Sequence, residues 1–362
     1  MKKSFLLLLV LVLSLCLTSF ASADDGMNIM FVVTGSLGGG TNVDDVKAAL
    51  DEYVAANGGS VQTVECNMDT SIYQTQLEQA AEDEEYDLII TGFGTMLEPL
   101  TNTAKQYPDQ KFMLFDAAVD FSGGAYPNVI SVQALQNQGA YLAGALATLM
   151  TESADAPRAN AAKKIGFIGG IESVAILDFM FGYIEGAKSI DPEVEILYSF
   201  VGSHTDAAMT QEMAISQNQN DADVIFAVTN SDLAVADVAL DRDFYAICCD
   251  ADEAAKIAPT NEDEANHILT SVVKDYKGMV APILVQIGDG TAEWGKHTYI
   301  GYADGGVNVP QNEWFNNLVP ASVLEQYTAV VEKMNAGEVT VSTAYGASTE
   351  KIDEMKALAS GN

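Results

Sequence analysis

Eight places in this 362-residue chain put polar groups or glycines directly after short apolar runs: residues 34–40, 92–95, Asp116, residues 169–172, 202–206, 229–232 and 250–252, and Lys274. In open parallel α/β sheets, ligands sit just beyond the carboxyl ends of the strands. These stretches are therefore the candidates for chemistry. Asp250 and Asp252 could form an acid pair for acid–base work. Acids at strand ends serve equally well as acceptors for ligand hydroxyls.

The residue types favour binding over catalysis. The chain has no G-x-S-x-G nucleophile elbow, and its three histidines, His204, His267 and His297, have no Ser or Cys partner in a recognisable arrangement. Asp250 and Asp252 lack companions at EF-hand spacing. Cys66, Cys248 and Cys249 form no C-x-x-C pair and no Cys/His cluster. No metal, cofactor or enzymatic activity is therefore expected. Adjacent Cys248 and Cys249 read as small apolar residues closing a buried strand.

GSLGGG, residues 35–40, follows a strand-like run and opens a helix, as a phosphate loop does. Its spacing is not G-x-G-x-x-G, no G-K-[ST] follows, and Asp44 and Asp45 occupy the turn where a phosphate needs positive charge. The glycines suit close backbone approach to a neutral ligand instead. Among the aromatic candidates Phe93, Phe121, Phe179 and His204, core packing is the ordinary role. His204 differs because VGSHTD is a polar turn, where a ring faces a cleft more readily.

The elements that position these groups follow a repeated pattern. Residues 28–33 read as a strand, followed by a Gly-rich turn and a helix face at Val43, Val46, Leu50 and Tyr53. KKIGFIGG, residues 163–170, starts the same order again, with Val174, Leu177, Phe181 and Ile184 as the helix face. Strands alternate with helices throughout, which means parallel sheets covered on both sides. With 48% hydrophobic residues the chain can fill two cores, and two α/β lobes leave a cleft where small ligands bind. Residues 151–162 are polar and aperiodic and mark the expected boundary.

Residues 1–23 read as a signal peptide: Lys2 and Lys3, an apolar run over 5–17, and Ala21-Ser22-Ala23 as cleavage site. The protein is thus expected to be exported, periplasmic or associated with the cell surface. A lipid anchor at Cys16 is disfavoured by bulky Leu15 before it. Without the two leader lysines, 15 basic residues face 51 acidic ones, a formal charge of −36. Such a surface repels nucleic acid.

Seven stretches carry a family resemblance: GFGTMLEPLTNTAKQYPDQKFMLFD (92–116), QNQGAYLAGALATLMT (136–151), KKIGFIGG (163–170), FMFGYIEGAKSIDPEVEILYSFVGSHTDA (179–207), NDADVIFAV (220–228), YAICCDADE (245–253) and LTSVVKD (269–275). In this order they resemble the basic membrane protein family of ABC-transporter substrate-binding proteins, which includes the purine nucleoside receptor of the PnrA type. The resemblance implies the type I periplasmic-binding-protein fold, with two doubly wound parallel-sheet lobes and a ligand cleft between them. The expected division is 24–150 plus about 274–296 for the N-terminal lobe, 151–273 plus about 297–346 for the C-terminal lobe, and a C-terminal helix over 347–362.

It also implies a monomer that captures a nucleoside, purine first, for an ABC-transporter permease. A surface sensor feeding a signalling receptor and an exported nucleoside hydrolase are the alternatives. Asp116 matches the family acid that accepts base N–H groups, Asp250 the acid that holds ribose hydroxyls, and Lys274 a second ribose contact. His204 stands where the family stacks a Phe on the base. The first loop departs most: where the family has D-G-S-F-N, this chain has GGTNV, so Gly39 replaces the acid, Asn42 the stacking Phe and Val43 the Asn. Thr229-Asn230-Ser231 replaces a G-T-G-like turn, which makes Asn230 a candidate contact, with Phe93 completing the expected set.

Overall fold

The computed structural model describes residues 26–39 and 42–360. The signal-peptide reading and Cys16 lie outside the described residues. Two six-stranded sheets organise the chain. In chain order, β1 (Met27–Val33), α1 (Asn42–Asn57), β2 (Gly59–Glu65), α2 (Tyr73–Glu82), β3 (Leu88–Gly92), α3 (Leu97–Gln106), β4 (Phe112–Phe115) and β5 (Val129–Ala134) build the first lobe. Then follow α4 (Gln136–Thr151), β6 (Lys164–Gly169), α5 (Val174–Ile190), β7 (Glu195–Phe200), α6 (Ala207–Gln219), β8 (Ala222–Val228), α7 (Leu233–Arg242), β9 (Tyr245–Cys249), α8 (Glu253–Ile257), α9 (Glu262–Ala265) and β10 (Ile268–Lys274). The chain returns through α10 (Tyr276–Gly288) and β11 (Lys296–Ile300), and ends with β12 (Val307–Asn308), α11 (Glu313–Leu318), α12 (Ala321–Asn335) and α13 (Thr349–Ala359).

The first sheet has the order β11-β5-β4-β3-β1-β2 and the second β12-β10-β9-β8-β6-β7. Every pairing is parallel except β10 with β12. In each sheet the strand order reverses around the opening strand, β1 or β6, and that switch point is where an open α/β sheet binds its ligand. The central strands β4, β8 and β9 are largely apolar and buried along their whole length because helices cover both faces.

Two expected boundaries move. Helix α4, read with the first lobe, packs on α5 and on β8 and β10 of the second. The reason is close packing through glycine. A Cβ on Gly182 would lie 2.0 Å from the Asn137 carbonyl oxygen, and one on Gly186 would lie 1.9 Å from that of Tyr141. The two backbones touch, and α4 is buried on nearly every side. The first crossing between lobes is therefore at Leu135, not at the polar stretch after residue 150. The last one moves as well. Strand β11 pairs with β5 in the first sheet, from Lys296 opposite Ile130 to Ile300 opposite Ala134, so the chain crosses after Ile300. The middle crossing is at Lys274, after which α10 packs against α1.

Candidate functional site

A cavity of about 1240 Å³ opens between the carboxyl ends of the two sheets. Thr34 to Ser36, Phe93 and Asp116 line it from the first lobe; His204, Asn230 and Asp250 line it from the second, and Lys274 lies on the crossing between them. Asn42 also lines it, at the start of α1. Of the eight expected site residues, seven meet here. Gly39 does not: it is exposed and absent from the cavity wall. The loop bends away before reaching it, because the Gly38 N–H donates to Asp44 Oδ1 at 2.6 Å, tying the loop tip to the first turn of α1.

Three of these residues sit where a parallel strand stops. The N–H of Phe93 donates to the Phe115 carbonyl, that of Asp116 to Val132, and that of Asp250 to Val272, each at 2.8 Å. All three then take positive φ, at 72°, 53° and 64°. The backbone leaves the strand at that residue, and its side chain joins the cleft wall. Phe93 packs edge-on against Phe115, with ring centroids 5.3 Å apart, and tilts against Tyr276 at 6.0 Å. His204 lies over the turn after β6. A Cβ on Gly170 would fall 2.4 Å from its Nδ1, so the last glycine of KKIGFIGG is what admits the ring. The His204 carbonyl accepts from Thr229 Oγ1 at 2.8 Å, joining two of the cleft turns. Of the other aromatic candidates, Phe179 is core, in edge contact with Phe226. Phe121 packs against the apolar layer under α2 and α3.

The centre of the site is a charged array. Lys274 Nζ donates to Asp116 Oδ2 at 2.9 Å and lies 3.8 Å from Asp250 Oδ1. The Tyr276 hydroxyl donates to the same Asp116 oxygen at 2.9 Å. Burial works against the Lys274 charge, yet Asp116 first, then Tyr276 and Asp250, hold its ammonium well above the ordinary lysine range. Burial, reinforced by Asp116, likewise lifts the Tyr276 hydroxyl well above its usual value. Asp250 Oδ1 is buried and makes no hydrogen bond. One cation thus faces two carboxylates from opposite lobes, and one carboxylate oxygen stands ready to accept.

A buried acid supports this array from below. Asp232 accepts from the Cys249 N–H at 2.9 Å, next to Asp250, and from the Leu233 N–H at 2.9 Å. Burial, with Glu253 and Asp250 nearby, raises its carboxyl to about 7 against the opposing Cys249 hydrogen bond. Cys248 and Cys249 are buried free thiols at the end of β9.

Several lining residues were not foreseen, among them Gln133, Tyr345 and Met68. Gln133 is a polar residue inside β5, whose remaining residues are otherwise apolar or small and all buried, and that mismatch was a readable signal. Tyr345 comes from an irregular return segment far down the chain, and nothing in its sequence marked it. Met68, in the turn after β2, is largely exposed at the cleft rim. Among the described residues no group of three His, Cys, Asp or Glu side chains is placed to hold a metal ion. Among them, too, no helix is long and apolar enough to cross a membrane.

The family described as "ABC transporter substrate-binding protein PnrA-like" matches residues 27–342. The ABC transporter nucleoside-binding protein BmpA of Lactococcus lactis subsp. cremoris is 28% identical over 242 residues, 64% of this chain and 65% of its own length. Basic membrane protein A of Borreliella burgdorferi is 28% identical over 215 residues, 58% of each chain. The chain thus spans less than two thirds of the length of these relatives. Among solved structures, an ABC transporter system solute-binding protein from Aeropyrum pernix K1 superposes with a TM-score of 0.72 at 19% identity, covering 93% of this chain and 98% of that one. That likeness establishes the type I periplasmic-binding-protein fold.

Proposed function

This chain belongs to the PnrA-like family of ABC-transporter substrate-binding proteins, and on that premise we propose that it captures a neutral nucleoside, a purine nucleoside first, for delivery to an ABC-transporter permease. The observation that carries the reading is the array of Asp116, Lys274 and Asp250 across the cleft. A ribose offers vicinal hydroxyls, and the unpartnered Asp250 Oδ1 accepts from one of them while Lys274 donates to a hydroxyl oxygen. Asp116 accepts a base N–H with the oxygen that Lys274 and Tyr276 leave unused. His204 from one lobe and Phe93 from the other supply aromatic surface for the base. A ligand held from both lobes favours their approach about the crossings at Leu135, Lys274 and residues 301–306.

The proposed setting is outside the cytoplasm, after cleavage behind Ala23. N-terminal sequencing that starts at Asp24 supports this cleavage, whereas a lipid-modified Cys16 at the N-terminus refutes the cleavage site and leaves the export in place. The function itself is tested by native mass spectrometry of co-purifying ligand, followed by calorimetry with adenosine, inosine and guanosine. Binding without release of free base is the expected result. Failure of all three nucleosides to bind overturns the proposal, and stoichiometric turnover to free base replaces it with hydrolysis.

A further inference from the structure

Gln133 is 1% exposed, yet it lines the cleft. It lies in β5 opposite Tyr299 of β11 and one residue past Val132, whose carbonyl accepts from Asp116. Its Oε1 is buried and has no hydrogen-bond partner. Tyr345 lines the same cleft, and its hydroxyl lies close to Gln133, Asp116 and Lys274. Two groups on this wall have work to do: an amide oxygen that needs a donor and a phenolic O–H that can donate to a ligand acceptor.

Tyr345 is held in place by design of the return segment. The Ala344 N–H and the Thr343 hydroxyl both donate to Asp178 Oδ1 on α5, at 2.9 Å and 2.5 Å. The Ser342 N–H donates to Glu185 Oε2 at 2.8 Å, and Asn137 Nδ2 donates to the Ser342 carbonyl at 3.1 Å. Asp178 is 2% exposed, so the anchor is part of the core and not a surface contact. A loop fastened this firmly presents its tyrosine with little left to order on binding.

We propose that Gln133 and Tyr345 form a base-reading subsite beside Asp116, which recognises a ligand edge carrying a hydrogen-bond donor next to an acceptor. This rests on the nucleoside reading and narrows it. The N1–H and O6 of a 6-oxopurine present such an edge, and so do the N6–H and N1 of a 6-aminopurine. Purine riboside has the ring acceptor and the same ribose but no donor at this edge. Binding it leaves Gln133 Oε1 buried and unpaired, and leaving such a group unmet is the costly outcome.

The experiment is calorimetry with inosine, adenosine and purine riboside on the parent, Gln133→Leu and Tyr345→Phe. The parent is expected to prefer inosine or adenosine to purine riboside by about tenfold or more. Gln133→Leu is expected to lose part of that preference, since purine riboside no longer strands the buried amide oxygen while Asp116 still accepts a base N–H. Tyr345→Phe removes one hydroxyl from a half-buried ring, leaves the core intact, and is expected to weaken inosine about three- to tenfold. A parent that binds none of the three overturns the nucleoside reading and this inference together. A parent that binds them without preference, or variants that keep the parent's preference and inosine affinity, overturns the inference alone.

Discussion

Replacing Asp250 by Asn separates ligand recognition from folding. The substitution keeps the shape of the side chain, and Asn tolerates the left-handed backbone that φ of 64° requires. Lys274 keeps its short bond to Asp116 at 2.9 Å, so the buried ammonium is not stranded and stability should barely change. Binding should change a great deal. A hydrogen bond to a charged acceptor contributes about 1.5–3 kcal/mol and one to a neutral acceptor about 0.5–1.5. With two sugar hydroxyls on one carboxylate, the loss is about 2–3 kcal/mol, or roughly 30- to 150-fold in Kd. His204→Ala removes a ring contact worth roughly 0.5–1.5 kcal/mol beyond its buried area, about 2- to 12-fold. Calorimetry on the parent and both variants, with the nucleoside the parent binds best, gives the ranking. An Asp250→Asn protein that binds within threefold of the parent, or less weakly than His204→Ala allows, would show that the ligand makes no hydroxyl contacts there and that the central role of the charged array is misassigned.

Three further outcomes follow from the same structure. Lys274→Met leaves the Asp116 carboxylate, with its side chain 9% exposed, facing only the Tyr276 hydroxyl. Breaking a buried pair costs about 3–5 kcal/mol, read as a deficit in urea unfolding at neutral pH; a variant as stable as the parent would contradict this. Gly186→Ala should destabilise despite the better helix propensity of Ala, because its Cβ meets the Tyr141 carbonyl at 1.9 Å. A loss of about 1–3 kcal/mol is expected, and a stabilised variant would mean that α4 and α5 do not pack this closely. Burial raises Asp232 to about 7 and Asp223 to about 6, so the folded chain holds protons the unfolded chain has released between about pH 4 and 7. Stability contributed by these two acids is full below pH 4 and is lost as pH rises through their folded values; Asp232→Asn should flatten the dependence by up to about 1.4 kcal/mol per pH unit, measured by urea unfolding at pH 5, 6 and 7.

The strands were legible because burial on both faces writes them as unbroken apolar runs. Residues 223–228 and 244–249 fall within a residue or two of β8 and β9. What those runs do not encode is which sheet a helix joins. Helix α4 has no polar face, so its periodicity names no partner, and the crossing at Leu135 leaves no mark in composition. The polar stretch after residue 150 looked like a boundary because it is exposed, but it only links two elements of the same lobe. The two-residue β12 is too short to carry a pattern. In the site, Asp116, Asp250 and Lys274 were legible from one rule, that strand ends face the ligand. Gly39 was misplaced because the bond from Gly38 to Asp44 depends on a loop conformation that glycines do not announce.

The three strand-end residues with positive φ explain why the site sits where it does. Phe93, with φ 72° and ψ 158°, occupies a region that is essentially glycine's, and strain there is of order 1–3 kcal/mol. Asp116 and Asp250 take the milder left-handed region. All three keep their N–H on the ladder of the neighbouring strand, so the sheet itself fixes the departure point to within one hydrogen bond. A glycine at any of them would relax the backbone and lose the side chain. Holding a ring and two carboxylates in these positions therefore serves the cleft and not the core. The positions are set by two rigid sheets, and Lys274, at the end of β10 on the crossing itself, lies close to both carboxylates. Its ammonium offsets one of these two negative charges, and the wall also carries Asp232 and the paired Glu253 and Lys256, so acids outnumber bases around the cleft. A neutral molecule with donors at both ends matches that distribution, whereas an anion is repelled at either wall.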